Sequence, residues 1–126
     1  MIPAEARKLW INALRSGRFK QTVGYLKTSE GYCCLGVACE LYQEVVGGLT
    51  VNYNANNNRY TFNDSAAILP KVVREWLGLT EDTGEYVTRS GNGTSLTEQN
   101  DSGLNFDTIA NIIEGQPDGL LAARET

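Results

Sequence analysis

The 126-residue sequence contains no histidine. That absence excludes the Ser-His-Asp and Cys-His nucleophile pairs and every His-ligated metal site. Acid–base chemistry would have to run on carboxylates, lysine, tyrosine or cysteine with shifted pKa values. Cysteine is scarce too. Cys33, Cys34 and Cys39 are the three present. An odd number in one short stretch is no disulfide framework and fits a reducing compartment. Zinc wants four nitrogen or sulfur ligands, usually as two spaced pairs, and no second pair exists here. The cysteines therefore read as small buried hydrophobes, with no metal and no cofactor expected.

A surplus of positive charge is also missing. The formal net charge is −4, whereas proteins of duplex nucleic acid carry the basic excess that phosphate neutralisation demands. No apolar run approaches the ~20 residues needed to span a bilayer. The start, Met1-Ile2-Pro3-Ala4-Glu5-Ala6-Arg7, lacks the order of a secretion signal. The reading is an intracellular protein that binds neither duplex nucleic acid nor membrane.

What is present is ordinary for one globular domain: 41% hydrophobic and 21% charged residues. The charge is unevenly spread. Arg7, Lys8, Arg15, Arg18, Lys20 and Lys27 stand in the first 27 positions against Glu5. The final stretch from Glu98 is acidic, with Asp101, Asp107, Glu114, Asp118 and Glu125 against Arg124.

Periodicity predicts a helix over 3–16, opened by Pro3 and stopped by Gly17. Residues 21–27 read as a strand. A second helix runs over 34–46 with Cys34, Ala38, Leu41 and Val45 on one face, so Cys34 and Cys39 point in different directions. Residues 50–53 and 59–62 form hairpin arms around an asparagine-rich loop. Pro70 opens a short helix capped by Gly78. A short strand at 85–88 lies in an otherwise polar segment, 80–94, to which no role is assigned. Ser95 and Glu98 form a capping box over one turn, and Asn105 caps a last helix with Phe106, Ile109, Ala110 and Ile113 inward. The expected fold is α+β: a single small domain over 1–115, three or four short helices packed on a small antiparallel sheet. Residues 116–126 are expected to be a weakly ordered tail.

Two constellations bear on function. Trp10, Arg15, Arg18, Lys20, Gln21, Tyr25 and Tyr32 combine aromatic planes with cations and an amide. Those are the groups that stack a base and hold a phosphate. They equally suit core aromatics beside surface cations. Glu40, Glu44, Asp101 and Asp107 are the carboxylates a hydrolase would use, though at these spacings solvated faces and caps are the plainer reading. The phosphate-loop glycine spacings are absent.

The string Leu9-Trp10-Ile11-Asn12-Ala13-Leu14-Arg15-Ser16-Gly17 is followed by Tyr32-Cys33-Cys34-Leu35-Gly36-Val37-Ala38-Cys39-Glu40-Leu41. Then come Leu69-Pro70, Trp76-Leu77-Gly78-Leu79, and Asn100-Asp101-Ser102-Gly103 with Phe106, Ile109-Ala110 and Ile113-Glu114. This order resembles a family of small phage and prophage accessory proteins, over residues 7 to 115. The resemblance implies a host bacterial cytoplasm and carries no established activity. Small proteins of that kind commonly act by binding, an argument by kind and not by site. The expectation is a non-enzymatic, self-associating binder that sequesters a nucleotide-derived defence signal. The alternatives are an inhibitor that docks on a host defence protein and a carboxylate-dependent hydrolase.

Overall fold

The structure, a computed structural model, describes residues 1–122. Its first helix, α1 (Pro3–Arg15), starts where expected. The Ile2 carbonyl accepts the N–H groups of Glu5 and Ala6, and the Glu5 carboxylate accepts the Ile2 N–H at 3.1 Å. Ala6, Trp10, Ile11 and Leu14 are buried on one face, and that face packs along the last helix, α5 (Phe106–Glu114). Asn105 caps α5 through the Thr108 N–H, and Ile109, Ala110 and Ile113 point inward.

Between them the chain forms β1 (Lys27–Thr28), β2 (Gly31–Tyr32), α2 (Cys34–Val45), β3 (Val51–Asn54), β4 (Arg59–Phe62), α3 (Lys71–Leu77), β5 (Glu85–Val87), β6 (Gly93–Ser95) and α4 (Leu96–Asp101). The domain is α+β, as the interleaved periodicities imply. Among the described residues there are five helices, and the strands form three separate antiparallel ribbons, β1–β2, β3–β4 and β5–β6, instead of one sheet. The strands are two to four residues long, and most of the buried hydrophobic residues lie on the helices.

Several local expectations change in the structure. The strand read over 21–27 is mostly bent chain. Gly24 takes φ +89°, which ends an extended run, so Gln21 bridges Tyr32 alone and pairing resumes at Lys27. The first two turns of α2 are buried on every side, Cys33 to Cys39 without a break, so Cys34 and Cys39 are both enclosed despite facing apart. Val45, placed on the inner face by periodicity, is 49% exposed because the helix leaves the core at its end.

The tail, expected to be weakly ordered, makes contacts with the rest of the domain as far as it is described. Leu120 is fully buried. The Leu120 carbonyl accepts the Thr80 N–H, and the Asp118 carbonyl accepts the Val87 N–H at 2.7 Å. Leu121 bridges Leu79. Two leucines in the tail supply apolar area that offsets the ordering entropy. The end of that expectation, residues 123–126, lies outside the described residues.

Candidate functional site

The structure links a run of rings and cations across one side of the domain. The Arg18 guanidinium sits 4.6 Å over the Phe19 ring. Phe19 meets Tyr32 edge-on, 5.1 Å between centroids at 89°. The Lys27 ammonium lies 5.0 Å from the Tyr32 ring and 4.5 Å from that of Tyr60. Tyr60 tilts against Tyr53 at 4.7 Å. Each of these contacts is of the kind that stabilises cations or aromatic pairs.

Local structure sets this run. The β1–β2 turn brings Lys27 opposite Tyr32. The β3–β4 register places Tyr53 opposite Tyr60. On the first turns of α2, Glu40 accepts the Tyr32 hydroxyl at 2.7 Å and Lys27 Nζ at 3.2 Å. Arg18 makes a two-pronged pair with Glu44. Arg59, next to Tyr60, covers the Tyr25 ring at 5.2 Å and forms no ion pair among the described residues.

Protonation states follow. Burial pulls the Lys27 ammonium down, but contact with Tyr32 and the negative charge of Glu40 outweigh it and hold its pKa above the ordinary lysine value. Burial pushes the Tyr32 hydroxyl up, and its bond to Glu40 adds to this against the opposing charge of Lys27. Both groups keep their protons at neutral pH.

The expected ligand residues divide accordingly. Arg18 and Tyr32 belong to the run, and Tyr25 joins it through Arg59. Lys20 is exposed beside it, its carbonyl accepting the Tyr32 N–H. Trp10 does not take part: it is fully buried and its indole N–H donates to the Cys34 carbonyl at 2.8 Å, so neither face is open to a base. Arg15 is held elsewhere by Glu114 and Asn111. Gln21 donates to Asn100 and to the Leu104 carbonyl, a structural duty. Lys27 and Tyr60 are central to the run, yet only the pairing of distant hairpins brings them together.

The carboxylates do not converge. Glu40 and Glu44 hold the partners just named, Asp101 accepts the Gly24 N–H at 3.0 Å, and Asp107 is exposed in the first turn of α5. Among the described residues no three acidic or sulfur side chains group to hold a metal. The three cysteines are free and buried. Burial raises the thiol of Cys33 to about 11 and raises those of Cys34 and Cys39 as well, so none is an activated nucleophile.

The sequence blocks singled out above meet in the core. The Asn100 side chain, fully buried, accepts the N–H of Cys34 at 3.1 Å and donates to the Thr22 carbonyl at 2.8 Å. It caps α2 from 66 residues away. Gly36 lies against the Leu26 carbonyl, where a Cβ would overlap it.

The fold and site together define a small α+β domain with a surface band of paired rings and cations. Over residues 2–117 the chain matches the family model described as a domain of unknown function, DUF8296, and it belongs to that family. No curated protein and no solved structure matches it. No helix of the described residues is long and apolar enough to cross a membrane.

Proposed function

We propose that this chain is a non-enzymatic binding protein that captures an anionic, nucleotide-derived signal on the band around Lys27. The observation that carries this reading is Lys27 itself, a protonated and half-buried cation set between the rings of Tyr32 and Tyr60. Arg59 beside it has no carboxylate partner among the described residues and supplies a fork for a phosphate. Glu40 and Glu44 are the groups a ligand phosphate would displace from Lys27 and Arg18. The resemblance to phage accessory proteins supplies the setting, a bacterial cytoplasm in which such a signal is made.

A thermal-shift panel of cyclic dinucleotides and cyclic ADP-ribose derivatives tests the proposal. A ligand at a hundredfold excess over Kd stabilises the folded state by about 2.7 kcal/mol. Lys27→Ala and Arg59→Ala should abolish that shift. No stabilisation by any member at saturating concentration overturns the reading.

The β3–β4 hairpin favours a second reading, docking on a host defence protein. All four residues of β3 are exposed, and Val51 and Tyr53 present apolar and aromatic surface at 39% and 46% exposure. A tagged wild-type chain should then retain a bacterial protein that a Val51→Asp, Tyr53→Asp variant does not.

A further inference from the structure

We propose that the cleft between the β5–β6 hairpin and α5 is a separate binding site for a nucleoside monophosphate. It goes beyond the reading above, because none of its residues belongs to the Lys27 band. The cleft measures about 510 Å3, within the range of small-molecule sites. One wall is Val87, Thr88 and Arg89, from the polar segment to which the sequence assigns no role. The other is Thr108, Asn111 and Ile112 of α5, and Gln116 to Asp118 close the end.

Two features mark it as more than a surface furrow. The first is the fixed direction of Asn111. Its Oδ1 accepts Arg15 Nη2 at 2.7 Å, and Arg15 is itself gripped by both Glu114 oxygens at 3.1 Å. The carbonyl end is therefore occupied, and the amide Nδ2, with no partner among the described residues, is the end left to donate. Arg15 acts here as a positioning residue for Asn111. The second is the backbone of Gln116. It holds φ +46°, the left-handed region, while Gly115 just before it sits at φ −73°, where any residue is comfortable. A helix end normally puts glycine at the left-handed position. Here glutamine bears that strain, and its side chain lines the cleft. Strain of this kind collects at ligand clamps.

The chemistry of the lining specifies the ligand. Arg89 forms no ion pair among the described residues and offers a two-pronged donor to a phosphate. Val87, 40% exposed, and the half-buried Ile112 and Pro117 offer aliphatic surface to the flat face of a base. Asn111 Nδ2 donates to a ring carbonyl, and the Asp118 carboxylate accepts from ribose hydroxyls. A base with a ring carbonyl, uracil or guanine, should be preferred to adenine.

Nitrogen-edited NMR titration of the full chain with UMP, GMP, AMP and inorganic phosphate provides the test. Saturable shifts at Arg89, Asn111 and Gln116 with UMP or GMP are expected, with AMP weaker. Arg89→Ala and Asn111→Ala should each weaken binding about tenfold while leaving the melting temperature in place. Gln116→Gly should raise the melting temperature by roughly 3 °C and weaken binding. Lys27→Ala should leave the titration unchanged, which separates failure here from failure of the band. No saturable shifts at the cleft overturns the proposal, as does binding that survives Arg89→Ala. Inorganic phosphate binding as tightly as the nucleotides would reduce the site to an anion contact and overturn it too. Equal affinity for AMP would overturn the role of Asn111.

Discussion

Asn100 and Cys34 stand 66 residues apart in the chain and are joined by one buried hydrogen bond, 3.1 Å from the Cys34 N–H to the Asn100 carboxamide. The same carboxamide serves Gln21 and Thr22. A single side chain thus closes the N-terminus of α2, the bent segment before β1 and the start of the α4–α5 turn. Asn100→Ala should strand the Cys34 N–H and the Thr22 carbonyl in the core. A loss of about 3 kcal/mol is expected, measured by urea unfolding.

Gly36 makes a different kind of demand. A methyl group there would run into the Leu26 backbone, which cannot swing aside as a side chain can. Gly36→Ala should cost about 3 kcal/mol even though alanine favours helix. Far-ultraviolet circular dichroism during heating would show the midpoint drop, and an unchanged midpoint would contradict the close approach.

The buried thiols tie stability to pH on the alkaline side. Their pKa values are raised in the folded chain: that of Cys33 moves from an ordinary 9.0 to about 11, and those of Cys34 and Cys39 also move up. Above pH 9 the unfolded chain loses these protons while the folded chain keeps them, so the unfolded state binds fewer protons and stability falls as pH rises. The contribution is complete below pH 9 and is lost progressively towards pH 11 for Cys33, with a slope of about 1.4 kcal/mol per pH unit for each thiol. Urea midpoints taken across pH 8 to 11 would trace the fall, and Cys33→Ala should make it shallower. At pH 8 a thiol reagent should label the native protein slowly and the denatured protein completely.

Glu40 links Lys27 to Tyr32, with both charged side chains 22% exposed. A double-mutant cycle with Glu40→Gln and Lys27→Met should return a coupling of about 1 kcal/mol, above a typical exposed pair and below a fully enclosed one. Tyr32→Phe should reduce stability by a similar amount by removing the 2.7 Å bond. Additive effects in the cycle would mean that the pair is not formed in solution.

Features that depend on a few neighbouring residues were legible in the sequence. Pro3, Ser95 and Asn105 open helices where the spacing puts them, and Gly78 ends α3 at φ +70°. The burial of Cys34 followed from its helical face. Features made by distant contacts were not legible. Trp10 looks like a stacking platform until its indole is found bonded to the backbone of α2. Lys27 and Tyr60 carry no local sign of each other, because their meeting depends on how two separate ribbons pack. The contacts of the tail were not legible for the same reason. Pro117 and Gly119 suggest disorder, while the anchor of Leu120 is the chain around Thr80, some 40 residues upstream.

The packing of α1 along α5 has a consequence for how the chain can be divided. Helix α1, with Trp10, Ile11 and Leu14 buried, packs against elements on both sides of the β3–β4 hairpin: α2 before it, and α3 and α5 after it. The same geometry suits a split reporter: two fragments cut in the exposed Asn54–Asn58 loop, each too short to close the core, should regain the fold only when both are present in one cell.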